Sequence, residues 1–336
     1  MRCGHVKPVR TDGELPGAGK GWVPIQDASR PGVGQPDPGS SVSGAILAGR
    51  GLETTPKPGK AFASAMQARI WVSQEPSDSD TMNVMRDAAP RPDDRSRTLL
   101  GVRIRDLGRD GAIALIDETV SRGDTVKVCF ANAQTLNLAC GDERYRNALR
   151  TFVVLNDGLG ADIASRIKYG VPFQENLNGT DFIPDFLART TLALRIYLVG
   201  STDAVAARAA EALAEAFPRH TIVGHRNGFF SGPQDIEQTC CDIRKSDADC
   251  LLVGMGNPLQ EFWIGEHGAN TSARLLFGVG AFLDFQAGNV PRAPQWVRQL
   301  RCEWMFRLLQ EPVRLARRYL IGNFVFLGRV LFDARR

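Results

Sequence analysis

Metal-binding and disulfide patterns are missing from this sequence. Its seven cysteines include no CxxC pair, and its four histidines form no group with them, so no zinc site is predicted. An odd number of cysteines without regular spacing is typical of a reducing compartment. Cys129 and Cys250 lie inside apolar runs, where cysteine usually acts as a small buried hydrophobic residue.

Long apolar runs are missing as well. No stretch reaches the ~18 uninterrupted apolar residues of a membrane-spanning helix. The first residues also lack the apolar segment of a secretory signal. We therefore expect a cytoplasmic protein whose contact with a membrane is peripheral.

Residues 1–95 are rich in glycine, proline and serine and show no apolar periodicity, which is typical of disordered chain. Residues 17–21 superficially suggest a phosphate loop, but the full spacing and a preceding strand are missing. We interpret residues 1–95 as a disordered extension, or as upstream sequence that is not translated, with Met82 or Met85 as the true start.

From Thr98 onward, strand-like apolar runs alternate with segments of helical period. The predicted strands are residues 98–104, 126–131, 152–155, 195–199, 221–223, 250–255 and 275–279. The predicted helices include residues 110–121, 203–217, 233–245 and 258–267. This alternation over residues 96–295 predicts an α/β fold, with a mainly parallel, Rossmann-like sheet that helices cover on both faces.

Residues 296–336 contain nine arginines and three acidic residues, with aromatic side chains between them. A basic amphipathic segment of this kind is typical of a membrane-surface or anion-binding element. We predict a basic helical C-terminal appendage that contacts the inner face of the plasma membrane. Arg329, Arg335 and Arg336 are expected on a solvated or lipid-facing surface.

Glycines follow several of the predicted strands, at Gly158, Gly200, Gly254 and Gly256. Glycine lets a ligand approach the backbone, and helix N-termini favour phosphate, so turns at one sheet edge suggest a nucleotide-sugar pocket. Asp157 lies between an apolar strand and such a turn, at the expected pocket rim. From the pattern alone, a helix cap or turn aspartate is the favoured alternative.

Nine motifs in residues 98–332 occur in an order that resembles the WecG/TagA/CpsF family of glycosyltransferases. They are Asn132, DGLG at 157–160, GHRNGFF at 224–230, GMGNPLQE at 254–261, GVGAFLD at 278–284, RAPQW at 292–296, EWMFR at 303–307, EPVR at 311–314 and RY at 318–319. The resemblance implies an inverting hexosyltransferase of cell-surface or exopolysaccharide synthesis that needs no metal or cofactor. Its donor would be a UDP-sugar of the N-acetylmannosamine, N-acetylmannosaminuronic acid or glucose type, and its acceptor a polyprenyl-diphosphate-linked sugar.

The resemblance also implies roles for individual residues. Asp157 corresponds to the catalytic base, and Asn132 and Gln260 correspond to polar groups of the pocket. Arginines of the appendage are implied to close over the site and act on the substrate, namely Arg307, Arg314 and either Arg317 or Arg318. We group Gly158, Gly200, Gly254, Gly256, Glu261 and Arg318 with the substrate-binding residues.

Three residues depart from the family pattern: Phe130, Leu259 and Asn176 stand where Thr, Lys and Arg are usual. These changes bear on the donor sugar more than on the reaction.

The arginines at 307, 314 and 318 are spaced to share one helical face, and guanidinium groups suit the oxygens of a diphosphate leaving group.

Two other classes of protein share features with this sequence. The basic tail alone fits a non-catalytic module that binds a membrane or nucleic acid, but such a module gains little from glycine turns at several strand ends. A nicotinamide dehydrogenase is disfavoured because no GxGxxG motif joins the first strand to its helix. We predict no nucleic-acid partner and leave open a homo-oligomer.

Overall fold

The computed structural model describes residues 95–290, 303–310 and 321–335. Eight strands form one sheet in the order β1-β2-β4-β3-β8-β7-β5-β6. Their bounds are β1 Ser96–Leu99, β2 Val102–Arg105, β3 Val126–Ala131, β4 Val153–Asn156, β5 Arg195–Gly200, β6 Thr221–Arg226, β7 Cys250–Gly254 and β8 Leu275–Gly278. Only the β1–β2 pair is antiparallel in this part of the chain, which confirms the predicted mainly parallel α/β fold.

Eleven α-helices are present in the described residues. They are α1 Arg109–Ser121, α2 Ala133–Gly141, α3 Glu143–Leu149, α4 Gly158–Tyr169, α5 Gly179–Arg189, α6 Asp203–Ala216, α7 Pro233–Lys245, α8 Leu259–His267, α9 Phe282–Gln286, α10 Glu303–Gln310 and α11 Gly322–Asp333. A short 3-10 helix, Gly268–Thr271, follows α8. Side chains of α2, α3, α4, α7, α8 and α11 share one buried apolar cluster, and side chains of α1, α5, α6 and α9 share a second. The sheet is therefore covered on both faces, as predicted.

The predicted first strand, residues 98–104, is wrong in one respect, because the structure has two antiparallel strands there. The chain reverses at Leu100 and Gly101, whose φ angles are +49° and +81°. A positive φ is uncommon for leucine, and Leu100 is itself buried. Because the turn residue is apolar, the apolar run continues through the hairpin, and the sequence pattern predicts one continuous strand.

The C-terminal helix α11 packs on the domain through Phe326 and Val330, each 2% exposed. The Lys168 ammonium lies 2.7 Å from the Asp333 carboxylate and anchors the end of the helix to α4. Arg329 differs from its expected surface position, because its guanidinium donates to the backbone oxygen of Asn137 in α2 at 2.8 Å. That partner holds α11 against α2.

Several predictions fall on parts of the chain outside the described residues. These are the extension at residues 1–94 with residues 17–21, Met82 and Met85, and also Arg314, Arg317, Arg318 and Arg336. Within the described ranges, no helix combines the length and the apolar character needed to cross a membrane.

Candidate active site

The parallel strands bring four of the nine motifs, together with Gly200, to one edge of the sheet. Strands β4, β3, β8, β7 and β5 are consecutive neighbours and run in the same direction, so their carboxyl ends lie side by side. We call this the carboxyl edge; it consists of Asn132, Asp157, Gly200 and the turns at residues 255–258 and 279–281. In sheets of this kind, ligands bind beyond the carboxyl ends of the strands.

Two predicted site residues, Asn132 and Asp157, lie in direct contact at the carboxyl edge. The Asn132 amide nitrogen donates to the Asp157 carboxylate at 3.1 Å. The Asn132 amide oxygen accepts from the backbone N–H groups of Gln134 and Thr135 at 3.0 and 3.2 Å, and so caps α2. These two N–H groups fix the orientation of the Asn132 amide, which in turn directs a donor at the carboxylate.

Asp157 is half-buried and stands at the N-cap position of α4 without a side-chain capping hydrogen bond in the described part of the chain. The helix-cap alternative therefore does not account for this carboxylate. Instead the Asn176 side-chain oxygen accepts from the backbone N–H of Gly158 at 2.7 Å. Gly158 has a φ of +84°, which glycine adopts without steric cost.

The predicted glycines of the edge fall into two kinds. A Cβ on Gly200 would lie 2.4 Å from the Gly254 oxygen, and one on Gly254 would lie 2.9 Å from the Gly280 oxygen. These two positions therefore need glycine because neighbouring backbones approach closely. Gly158 and Gly256 instead face open space, with no described atom within 4 Å of an added Cβ, so backbone is accessible there.

Gln260 and Glu261 lie in the first turn of α8, and both side chains are buried, with exposed fractions of 2% and 0%. The Gln260 amide oxygen accepts from the backbone N–H groups of Gly256 at 3.2 Å and Gly280 at 2.9 Å. It therefore ties together the turns at residues 255–258 and 279–281. The Glu261 carboxylate accepts from the side-chain amides of Gln260 and Asn257, each at 2.7 Å.

Burial raises the pKa of Glu261 to about 7, while hydrogen bonds from Gln260, Tyr145 and Asn257 act in the opposite direction. Desolvation dominates because the carboxylate is fully enclosed by the protein. Tyr145 and Cys129 face the same carboxylate, and burial together with its charge raises the pKa of each. Sequence reasoning missed Tyr145. It named Asn176 and the motif that contains Asn257, but it gave neither asparagine a role in these contacts.

Of the arginines predicted to act at the site, only position 307 falls in a described element, helix α10. Its side chain, together with Arg314 and Arg318, lies outside the described residues. Their roles remain predictions. No group of three or more His, Cys, Asp or Glu residues suited to a metal ion occurs in the ranges that the structure describes.

Comparison with known proteins matches most of the chain to one family. The glycosyl transferase WecG/TagA/CpsF family matches residues 97–336. The chain belongs to this family. It is a glycosyltransferase, and the resemblance stated from its motifs is confirmed.

Two curated relatives carry the name N-acetylglucosaminyldiphosphoundecaprenol N-acetyl-beta-D-mannosaminyltransferase. The protein from Bacillus spizizenii is 30% identical over 200 residues, which covers 59% of this chain and 76% of the relative. The protein from Staphylococcus aureus strain MW2 is 29% identical over 202 residues, covering 59% and 78%. A solved nicotinate phosphoribosyltransferase from Vibrio cholerae overlaps with a TM-score of only 0.19 at 16% identity, which carries no argument about fold or function.

Proposed function

We propose that this glycosyltransferase transfers a sugar of the N-acetylmannosamine type from UDP to a polyprenyl-diphosphate-linked sugar, with inversion at the anomeric carbon. The observation that carries the proposal is the Asn132–Asp157 contact at the carboxyl edge. The names of the two curated relatives support the choice of sugar and acceptor. The product would enter a bacterial cell-surface polysaccharide.

Asp157 acts as the general base in the proposed reaction. The acceptor hydroxyl oxygen attacks the anomeric carbon while the bond from that carbon to UDP breaks. The hydroxyl proton passes to the Asp157 carboxylate, and UDP leaves with the bonding electron pair. A positioned carboxylate typically contributes about 10²–10⁴-fold in rate.

Asn132 keeps that carboxylate in one orientation. Its amide is fixed by two backbone N–H groups of α2, so the donated hydrogen bond holds one Asp157 oxygen. The carboxylate as a whole then has a defined orientation relative to an incoming hydroxyl. Such preorganisation avoids rearrangement at the moment of reaction.

Negative charge develops on the UDP leaving group, and we assign its stabilisation to Arg307, Arg314 and Arg318. Guanidinium groups stay protonated at cellular pH and bind phosphate oxygens through paired N–H donors. Loss of one preorganised donor typically costs about 10²–10³-fold in turnover.

A lipid-linked acceptor requires the enzyme to meet a membrane, and α11 offers a surface for that contact. The face of α11 opposite Phe326 carries exposed apolar side chains, namely Ile321, Phe324, Val325, Leu331 and Phe332. Among them, the Phe324 side chain has the largest exposed fraction, 76%. We assign this face to the cytoplasmic leaflet, where apolar side chains insert between lipids.

A donor screen tests the proposed reaction. Purified protein is mixed with a panel of UDP-sugars and a polyprenyl-diphosphate-linked N-acetylglucosamine acceptor, and released UDP is measured. We expect acceptor-dependent release with the N-acetylmannosamine donor. Salt-sensitive DNA binding with no UDP binding would instead favour the non-catalytic module.

Sedimentation with anionic phospholipid vesicles tests the membrane surface. Phe324→Glu places a charge on the apolar face of α11 and is expected to reduce the bound fraction several-fold. Ala214→Glu adds the same charge at an exposed position of α6, on the opposite face of the sheet, and should bind as the wild type does. Equal binding by all three proteins would remove α11 from the membrane contact.

A further inference from the structure

The two turns of the carboxyl edge beside β7 and β8 share one internal support. Gly256 lies in one turn and Gly280 in the other, and both of their N–H groups point at a single atom, the Gln260 amide oxygen. The relative position of the two turns therefore depends on which way the Gln260 amide faces.

Glu261 and the two turn N–H groups together fix the orientation of that amide, and Glu261 is the only one of these partners that lies outside the turns in the described chain. With the observed orientation, the amide nitrogen donates to the Glu261 carboxylate at 2.7 Å while the oxygen accepts two backbone N–H groups. A flipped amide would place its NH₂ group against two N–H donors and its oxygen against a carboxylate. All three contacts would be repulsive or unsatisfied in a buried site, which is costly.

Asn257 extends the same network into the turn at residues 255–258. Its side-chain nitrogen donates to the Glu261 carboxylate at 2.7 Å and lies 3.2 Å from the Tyr145 hydroxyl. One fully buried carboxylate therefore holds the turn twice, through Asn257 directly and through Gln260 by way of the Gly256 N–H group. Tyr145 and Cys129 are titratable neighbours of this carboxylate, and its charge raises the pKa of each.

We propose that Glu261 is a positioning residue for the nucleotide: by fixing the Gln260 amide it holds the turns at residues 255–258 and 279–281 in the geometry that receives UDP. The proposal rests on the proposed function, which places the donor at this edge. Glu261 acts without touching the substrate, since its side chain is 0% exposed. Its effect should fall on binding of UDP rather than on the acceptor.

The test measures the dissociation constant of UDP by calorimetry and the KM of the lipid-linked acceptor. Glu261→Leu removes the acceptor of both amide donors, and we expect UDP binding to weaken about tenfold or more, with the acceptor KM unchanged. Glu261→Gln is the rescue, because its oxygen can still accept from Gln260 and Asn257. Ile264→Ala is the matched control: it opens the core under the same helix but breaks no bond to the turns.

Exchanging the amide and the carboxylate between positions 260 and 261 tests the network without an apolar substitution. This exchange tests the positioning role of Glu261 even if Glu261→Leu does not fold. Gln260→Glu alone sets two carboxylates side by side and should weaken UDP binding. The double variant Gln260→Glu/Glu261→Gln restores an amide donor to the carboxylate at position 260. Because Asn257 donates to the same atom of residue 261 in the wild type, its amide must turn its oxygen toward the new donor, and UDP binding should then recover at least in part.

Different failures of these experiments have different meanings. Absence of UDP binding by the wild type would defeat the proposed function itself. UDP binding by the wild type with the same affinity in Glu261→Leu, or no recovery in the double variant, would overturn the positioning role alone. Equal losses in Glu261→Leu and Ile264→Ala would assign Glu261 to stability only and would overturn it as well.

Discussion

The two halves of the carboxyl edge use polar side chains in opposite ways. Beside β3 and β4, Asn132 and Asp157 are half-buried and contact each other, so both side chains keep some exposure to solvent. Beside β7 and β8, Gln260 and Glu261 are buried, and their hydrogen bonds run inward to two turns. In the proposed reaction, the first half presents the general base, and the second half holds the shape of the backbone.

This difference shows that similar sequence signals can have different structural meanings. Polar residues after strand ends marked both halves equally in the sequence. Burial separates them, because a carboxylate must meet solvent or substrate to exchange a proton quickly, whereas a buried amide can only organise its neighbours. Substitutions in the first half should change the rate of transfer, and those in the second should change binding and stability.

The largest effect is expected at Asp157. Asp157→Asn keeps the shape of the side chain but removes the proton acceptor, so turnover should fall by about 10²–10⁴-fold. UDP release with the lipid-linked acceptor measures this rate. Thermal unfolding serves as the control and should change little, because the carboxylate does not cap α4. Near-normal turnover would remove Asp157 as the base.

A large effect on stability is expected at Gly200. Gly200→Ala forces a Cβ against the Gly254 oxygen, 2.4 Å away, and should lower the free energy of unfolding by about 3 kcal/mol. Urea denaturation measures this loss. Gly256→Ala is the comparison: its φ is +80° but its surroundings are open, so only about 1 kcal/mol of backbone strain is expected. Equal losses would contradict the distinction between the two kinds of glycine.

Titration of Glu261 should contribute to the pH dependence of the unfolding free energy. Its pKa is about 7 in the fold against an ordinary 4.5, so the folded state holds a proton that the unfolded state releases between these values. The contribution to stability is therefore present below pH 4.5 and is lost as pH rises to 7, by on the order of 3 kcal/mol.

Glu261→Gln supplies the reference for that measurement, because the variant cannot titrate at this position. Between pH 5 and pH 8 the unfolding free energy of the wild type should therefore fall relative to that of the variant. A difference that stays constant over this range would show that the carboxyl group has an ordinary pKa in the fold.

The smallest stability effect, on the order of 1 kcal/mol, is expected at Asn132. Asn132→Ala removes the cap of α2 and the donor to Asp157, so stability and turnover should both fall. Asn132→Asp keeps a capping oxygen but sets a second carboxylate against Asp157, so stability should largely survive while turnover falls. Unfolding and UDP release on the same samples separate the two roles. Full turnover in Asn132→Asp would show that the donor is dispensable.

Much of the sheet could be predicted from the sequence because its buried strands are unbroken apolar runs. Residues 126–131 and 233–245 were predicted with the bounds that the structure has, and most other strands within one to three residues. The helices that were not named carry weak or contradictory signals. Helix α4 begins with Gly158 and contains Gly160, and α5 contains Pro184, residues that usually mark turns.

The candidate site could be predicted only in part. Parallel strands place their carboxyl ends together, so the approach of Asn132 and Asp157 follows from topology. The direction of a side chain does not, and the inward orientation of Gln260 and Glu261 had no sequence signal. Phe130, where the family usually has Thr, is buried against Phe182, with ring centroids 6.0 Å apart, so that position contributes to the core rather than to the edge.

UDP must bind at the carboxyl edge for the proposed reaction to occur there, and a crystal structure of the protein soaked with UDP tests this most directly. We predict that the nucleotide lies beyond the ends of β3, β7 and β8, with its diphosphate near the open backbone of the edge and Asp157 facing the sugar side. UDP bound at the amino ends of the strands, or on a helical face remote from Asp157, would contradict it.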